Sequence, residues 1–283
     1  MQDYAATPWL ELGWRRWFGL LQLNFGGRAA DYRDAAHGAR NMGHEVARHG
    51  ADHLLVSGDV STYATDTEFR SVREALGASA DSRQRCSVVP GNHDYFTPNA
   101  ARSRRFERHF AHLLESDLPE YQREGPYPFV HLKGDAVAVV GLQSPRIMPF
   151  PGFSFGRIGA AQLSALDDLL ADPRMQHRAV LVMVHHAPLD PRGRKDVPMR
   201  VIRGLHDADA LLSRLKGPRF AVLHGHRHQR YHHEATPTRP HLFCAGSSTQ
   251  RGNEGYWVID VHDGVISNAS KHVPRLYPRV AQS

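Results

Sequence analysis

Apolar positions along this chain switch between helical and strand spacing. Asp34 to Arg48 carries apolar residues at helical intervals, and Gly50 follows just past the end, so a helix is predicted there. His53 to Ser57 (HLLVS) reads as a short buried strand. Thr65-Asp66-Thr67-Glu68 has the form of a capping box, in which the Thr oxygen and the Glu carboxylate satisfy free amides at a helix start. The helix it opens is expected to bury Phe69, Val72 and Leu76 and to stop at Gly77. Cys86 to Val89 reads as the next strand, followed by a polar helix from about Asn99 to Glu115. Val137 to Leu142 and Ala179 to Val184 are near-continuous apolar runs, as expected for strands covered on both faces, with an amphipathic helix from Ala160 to Leu170 between them. Phe220 to Leu223 is another buried strand. Tyr256 to Val261 and Val265 to Lys271 flank Asp263-Gly264, which signals a hairpin.

Strand–helix alternation followed by strand pairs predicts an α/β fold, a four-layer α-β-β-α sandwich of two mixed β-sheets flanked by helices. No repeat, low-complexity block or Pro/Gly/Ser linker divides the 283 residues. A single domain is expected, with a helical or lid-like segment over about residues 1–30 and a core over about 31–275. Trp9 to Leu23 is rich in Trp, Phe and Leu around Arg15-Arg16. It reads as a helix docked on the domain, a membrane-surface lid being the alternative.

Composition adds three constraints. Cys86 and Cys244 are the only cysteines, so neither a disulfide framework nor a cysteine zinc site is expected. No run approaches eighteen apolar residues and no leader pattern opens the chain, so a cytoplasmic location is expected. Lys plus Arg is 35 against 29 acidic residues, a formal +6, which suits a small anionic substrate better than a nucleic-acid partner. The outlier is histidine, with 20 residues.

Those histidines become informative by position. Four buried strands end abruptly in polar, metal-capable residues: LLVSGD at Asp59, SVVPGNHD at Asn92, His93 and Asp94, LVMVHH at His185 and His186, and AVLHGHRH at His224, His226 and His228. Strand ends of an α/β sheet converge on one edge, where ligands bind, so these side chains are expected to meet. Gly58, Gly91 and Gly225 would permit tight turns where the ligands emerge. Carboxylate, amide oxygen and imidazole without thiolate suit zinc, manganese or iron.

This constellation resembles the calcineurin-like metallophosphoesterase family. Gly58-Asp59, Gly91 to Asp94, His185 to Pro188 and Gly225 to His228 match its GD, GNHD, HHxP and GHxH motifs in order, within a resemblance covering about residues 10–270. The resemblance implies the metallophosphatase fold and hydrolysis of a small phosphomonoester or phosphodiester by a metal-activated hydroxide. Asp59 would bridge two divalent ions (Mn, Fe or Zn). Asn92, His185 and His226 would complete one ion's shell, and His228 would ligate the other. His93 would sit beside the leaving-group oxygen as proton donor or transition-state stabiliser, oriented by Asp94. His186, Arg192 and Arg203 are candidates for substrate binding, the two arginines lying in a basic loop from Pro191 to Arg203.

One element of the family pattern is not found. The family opens with a strand ending in Asp-x-His, and no such triplet follows an apolar run before Gly58. Trp14 to Arg33 resembles what lies between that motif and the first helix, so the strand is expected ahead of Met1. The alternatives are a variant with a single intact metal site and weak catalysis, acting through binding or regulation, or a distant substitute ligand. A nuclease or lipid phosphoester hydrolase is a further reading of the same motifs.

Overall fold

The computed structural model describes residues 35–147, 153–195 and 202–275. The Trp9–Leu23 segment, Asp34 and Arg200 fall outside them. Helix α1 (Ala35–His49) is closed by Gly50 at φ 59°, and β1 (Leu54–Val56) follows. Helix α2 (Asp66–Leu76) carries the complete capping box: Thr65 Oγ1 accepts from the Glu68 amide, and the Thr65 amide donates to the Glu68 carboxylate. Strand β2 (Cys86–Val88) comes next. The single helix expected over residues 99–115 is instead three short ones, α3 (Pro98–Arg102), α4 (Arg105–His109) and α5 (Ala111–Leu114). The first break falls at Arg104, whose φ of 49° cannot continue a right-handed helix. It lets Phe106, Phe110, Leu113 and Leu114 all reach the core.

Strand β3 (Phe129–Lys133) pairs antiparallel with β4 (Val137–Gly141). Helix α6 (Ala160–Ala171), β5 (Ala179–Met183), α7 (Ala208–Arg214) and β6 (Phe220–His224) follow. Strands β7 (Tyr231–His233) and β8 (His241–Cys244) complete a six-stranded mixed sheet in the order β3-β4-β5-β6-β8-β7. Its β4-β5-β6-β8 centre is parallel. The hairpin of β9 (Tyr256–His262) and β10 (Val265–His272) turns at Asp263 and Gly264, both at positive φ, as its Asp-Gly signal predicts.

The large sheet has a core on each face. One unites Val130, Val140, Val182 and Val222 with Leu163, Leu166 and Leu169 of α6 and Leu211 of α7. The other unites Val139, Leu181, Met183, Leu223 and Phe243 with Cys86 and Val88 of β2 and Phe69 of α2, and receives Trp257 and Ile259 of β9. The layer facing the large sheet consists, among the described residues, of two separate pairs, β1-β2 and β9-β10. Strand β1, expected to be buried, is only half-buried along its length. Among the described residues no helix is long and apolar enough to cross a membrane.

Candidate metal centre

The carboxyl ends of β1, β2, β5 and β6 bring their polar residues to one place. Parallel pairing of β1 with β2, and of β5 with β6, makes each pair of ends level. The Gly225 amide donates to the His185 carbonyl at 3.1 Å, locking the last two turns together. Backbone strain concentrates here: Asp59, His226 and His228 all adopt left-handed φ of 55°, 66° and 52°. Two glycines make the turns possible. Gly58 has φ 96°, and a Cβ on Gly91 would lie 2.1 Å from Asp59 Oδ1.

One ligand atom from each of Asp59, His185 and His226 lies within 4.8 Å of the others. Asn92 sits among them, its Oδ1 3.2 Å from His185 Nε2 and 2.9 Å from His226 Nδ1. His185 Nε2 lies 3.2 Å from Asp59 Oδ2. His185 Nδ1–H donates to the Ser57 carbonyl at 2.7 Å, which aims Nε2 at the cluster. Burial opposes a charge on His185, but the adjacent Asp59 carboxylate outweighs it and raises its pKa. Burial likewise pushes against the Asp59 carboxylate, yet His185 and His93 hold it well below the usual range. Burial, then the neighbouring His185, pushes His226 down to about 3, so its ring is neutral.

These facts bear on whether a cation fits. A neutral His226 carries one N–H, and the Arg203 main chain accepts a hydrogen bond from this ring. Its Nδ1 lies 2.9 Å from Asn92 Oδ1, so both atoms converge on the point where a cation would sit. Carboxylate, amide oxygen and two imidazoles are a donor set for zinc, manganese or iron, and they fit one ion. His228 lines the same cavity but stands outside the group of converging atoms.

His93 lies beside the cluster. Its amide donates to Asp59 Oδ1 at 2.9 Å and its Nδ1–H to the Thr62 carbonyl at 3.0 Å, while its ring stacks on Phe96. That leaves Nε2 for the cavity His93 lines. The expected His93–Asp94 orientation is replaced by this carbonyl. Asp94 is fully buried, and its carboxylate accepts from the Gly91 and Ser61 amides and the Ser61 hydroxyl at 2.7–2.9 Å. Asp94 therefore ties the β1 and β2 turns together. Burial, then the Asp59 charge, raises its pKa.

The substrate-binding candidates also read differently in three dimensions. His186 is fully buried and uses both ring nitrogens: Nε2–H donates to the Ser154 carbonyl at 2.9 Å, and Nδ1 accepts from Ser144 Oγ at 2.7 Å. It has no donor left for a substrate and instead packs against His226, ring centroids 4.7 Å apart. Arg192 and Arg203 are exposed, and neither lines the cavity. Arg203 reaches the site through its main chain, a contact no side-chain pattern encodes. Ser57, Thr62 and Ser154 were not singled out in the sequence, because each acts through a carbonyl supplied by a distant turn.

No curated protein sequence matches the chain. Among solved structures, TT1561 of Thermus thermophilus aligns with a TM-score of 0.50 at 16% identity, over 84% of this chain and 93% of that one. Sulfate thiohydrolase SoxB of Thermus thermophilus, in complex with glycerol, aligns with a TM-score of 0.48 at 17% identity, over 84% of this chain and 42% of that one. The first likeness bears on the fold alone. The family described as calcineurin-like phosphoesterase matches residues 27–230, a span that contains all four polar strand ends. On that match, the chain belongs to the calcineurin-like phosphoesterase family.

Proposed function

We propose that the protein is a metal-dependent phosphoesterase acting on a small phosphomonoester or phosphodiester. The observation that carries this reading is the convergence of Asp59, Asn92, His185 and His226 on one point, beside His93, in a chain of this family. Those four residues would hold the ion. When bound, a divalent ion acidifies a water and offsets the charge that grows on phosphorus. The protein's own part is positional. The Ser57 carbonyl fixes the His185 tautomer, and Asp94 fixes the turns that carry Asp59 and Asn92. His93, held through Nδ1 by Thr62, can in its doubly protonated form pass the Nε2 proton to a leaving-group oxygen.

A second reading is a metal-binding protein with weak turnover. It is favoured by the position of His228 outside the converging group. Hydrolysis of bis-p-nitrophenyl phosphate and of p-nitrophenyl phosphate separates the two. The enzyme reading expects turnover that a chelator removes and added Mn restores. Asn92→Ala and His226→Ala should abolish it, while His232→Ala, on β7, leaves it intact. Metal binding without turnover of either ester would favour the second reading.

A further inference from the structure

The capping box at the start of α2 holds more than the helix requires. In such a box the glutamate accepts from one backbone amide, that of the capping residue. Glu68 does this with the Thr65 amide at 3.0 Å, and it also accepts from the Thr65 hydroxyl at 2.9 Å. It takes two further amides from ahead of the cap, Thr62 at 3.0 Å and Tyr63 at 3.2 Å. Neither belongs to the free amides of the helix start, so capping does not account for them.

The Tyr63 amide is one end of a planar trans peptide whose other end is the Thr62 carbonyl, and the two ends point in opposite directions. With its N–H directed at Glu68, the peptide turns its carbonyl the other way, and that carbonyl accepts from His93 Nδ1–H at 3.0 Å. A carboxylate thus reaches His93 through one peptide unit. The flanking residues are fixed independently. The Ser61 amide is bound to Asp94, and the Ala64 carbonyl accepts from Arg105 at 2.7 Å. Between those anchors, Glu68 sets which way the peptide faces. Negative charge at its N–H end also polarises the carbonyl and strengthens its bond to the ring. The same turn orients the ring plane: Tyr63 packs edge-on against Phe96, ring centroids 5.5 Å apart, and Phe96 stacks on His93.

We propose that Glu68 is a positioning residue for His93, acting through the Thr62–Tyr63 peptide to hold one ring proton on Nδ1 and keep Nε2 turned to the cavity. The role rests on the phosphoesterase reading above. In that reaction the Nε2–H bond breaks as the leaving-group oxygen gains the proton, and the ring is left neutral with its remaining proton on Nδ1. The oriented carbonyl favours that tautomer over the one protonated on Nε2.

Two substitutions and a comparison test this in the full-length protein. Glu68→Gln replaces one acceptor oxygen by an NH2 group that opposes the amides. Glu68→Asp keeps the charge at the helix start but draws the carboxylate back by about 1.5 Å. Thr65→Ala removes the cap and leaves Glu68 facing Thr62 and Tyr63. In zinc-loaded protein labelled with nitrogen-15 at histidine, the His93 ring signals are identified by their loss in His93→Gln. At about pH 8.5, above the ordinary histidine value near 6.5, the parent and Thr65→Ala should show His93 protonated on Nδ1. Both Glu68 variants should show a mixture of tautomers. Both should also lower kcat on phenyl phosphate by about 10-fold or more at nearly constant KM, and lower it less on p-nitrophenyl phosphate, whose leaving group needs less help from an acid. Thr65→Ala should keep kcat on both esters. Combined with His93→Ala, the Glu68 substitutions should cost nothing further. An unchanged tautomer in both Glu68 variants, or a loss that adds fully to that of His93→Ala, makes Glu68 a helix cap and overturns the proposal. If the parent turned over neither ester, the phosphoesterase reading would fall, and the tautomer measurement alone would decide whether Glu68 holds His93.

Discussion

Replacing Gly91 by alanine puts the site's geometry to a quantitative test. The added methyl would sit 2.1 Å from Asp59 Oδ1, 2.4 Å from the Asp59 amide nitrogen and 2.7 Å from its Cγ. An ordinary contact is about 3.5 Å, so Asp59 or the β2 turn must withdraw by about 1 Å. Neither can do so freely. Asp59 is held at φ 55° and accepts from the His93 amide, and Gly91 itself donates to Asp94. Overpacking of this kind costs about 1–3 kcal/mol of stability. A displacement of about 1 Å at a reacting centre costs on the order of 100-fold in rate. Gly91→Ala should therefore fold, lose about that factor in hydrolysis of bis-p-nitrophenyl phosphate, and bind Mn more weakly by calorimetry. Gly50→Ala is the control: unlike Gly91 it lies at positive φ, 59°, so the methyl adds backbone strain, but nothing lies within 4 Å of it. It should lose stability and keep both metal affinity and turnover. If Gly91→Ala bound metal and turned over as the parent does, the placement of Asp59 against that turn would be wrong.

Two further outcomes are expected. His131 is fully buried, bonded to Ser87 Oγ and the Glu115 carbonyl, and burial pushes it down to about 4. Its unfolded value is near 6.5, so the unfolded chain takes up the proton first, and the stability it contributes is full above 6.5 and lost as pH falls toward 4. Between pH 7 and 5 that loss is about 2 kcal/mol, and urea titrations of His131→Gln should show a loss smaller by that amount; equal pH dependence in the two proteins would refute it. Cys86 and Cys244 are buried, with thiols pushed up to about 12 and about 11, so native protein at pH 8 should resist a thiol reagent that labels both after denaturation.

The strand ends were legible in the sequence because each carries two signals at once, an apolar run and an abrupt polar stop. Asp59, Asn92, His185 and His226 met as that pattern implies. The roles of the residues beside them were less accessible. His185 and His186 are adjacent and chemically identical, and what separates them is their surroundings. The Ser57 carbonyl aims one at the cluster, while Ser144 and Ser154 occupy both nitrogens of the other. Those partners lie over 30 residues away, beyond any local pattern. Asp94 follows His93 directly, which suggested a pair, but the turn sends its carboxylate back to Ser61 and Gly91. The break at Arg104 was hidden because helical spacing survives across it.

The left-handed backbone of Asp59, His226 and His228 also limits how this protein can change. Such conformations cost on the order of 1 kcal/mol or more each in a non-glycine residue. Together they take up a share of a net stability that is typically only about 5–15 kcal/mol. Glycine would sit more easily at all three positions, so selection for thermal robustness alone would erode the polar side chains that face the cavity. The tolerance of the rest of the domain to destabilising substitutions is correspondingly narrower. An engineered variant with reinforced packing under α6 and α7 should accept more changes around the site than the parent fold does.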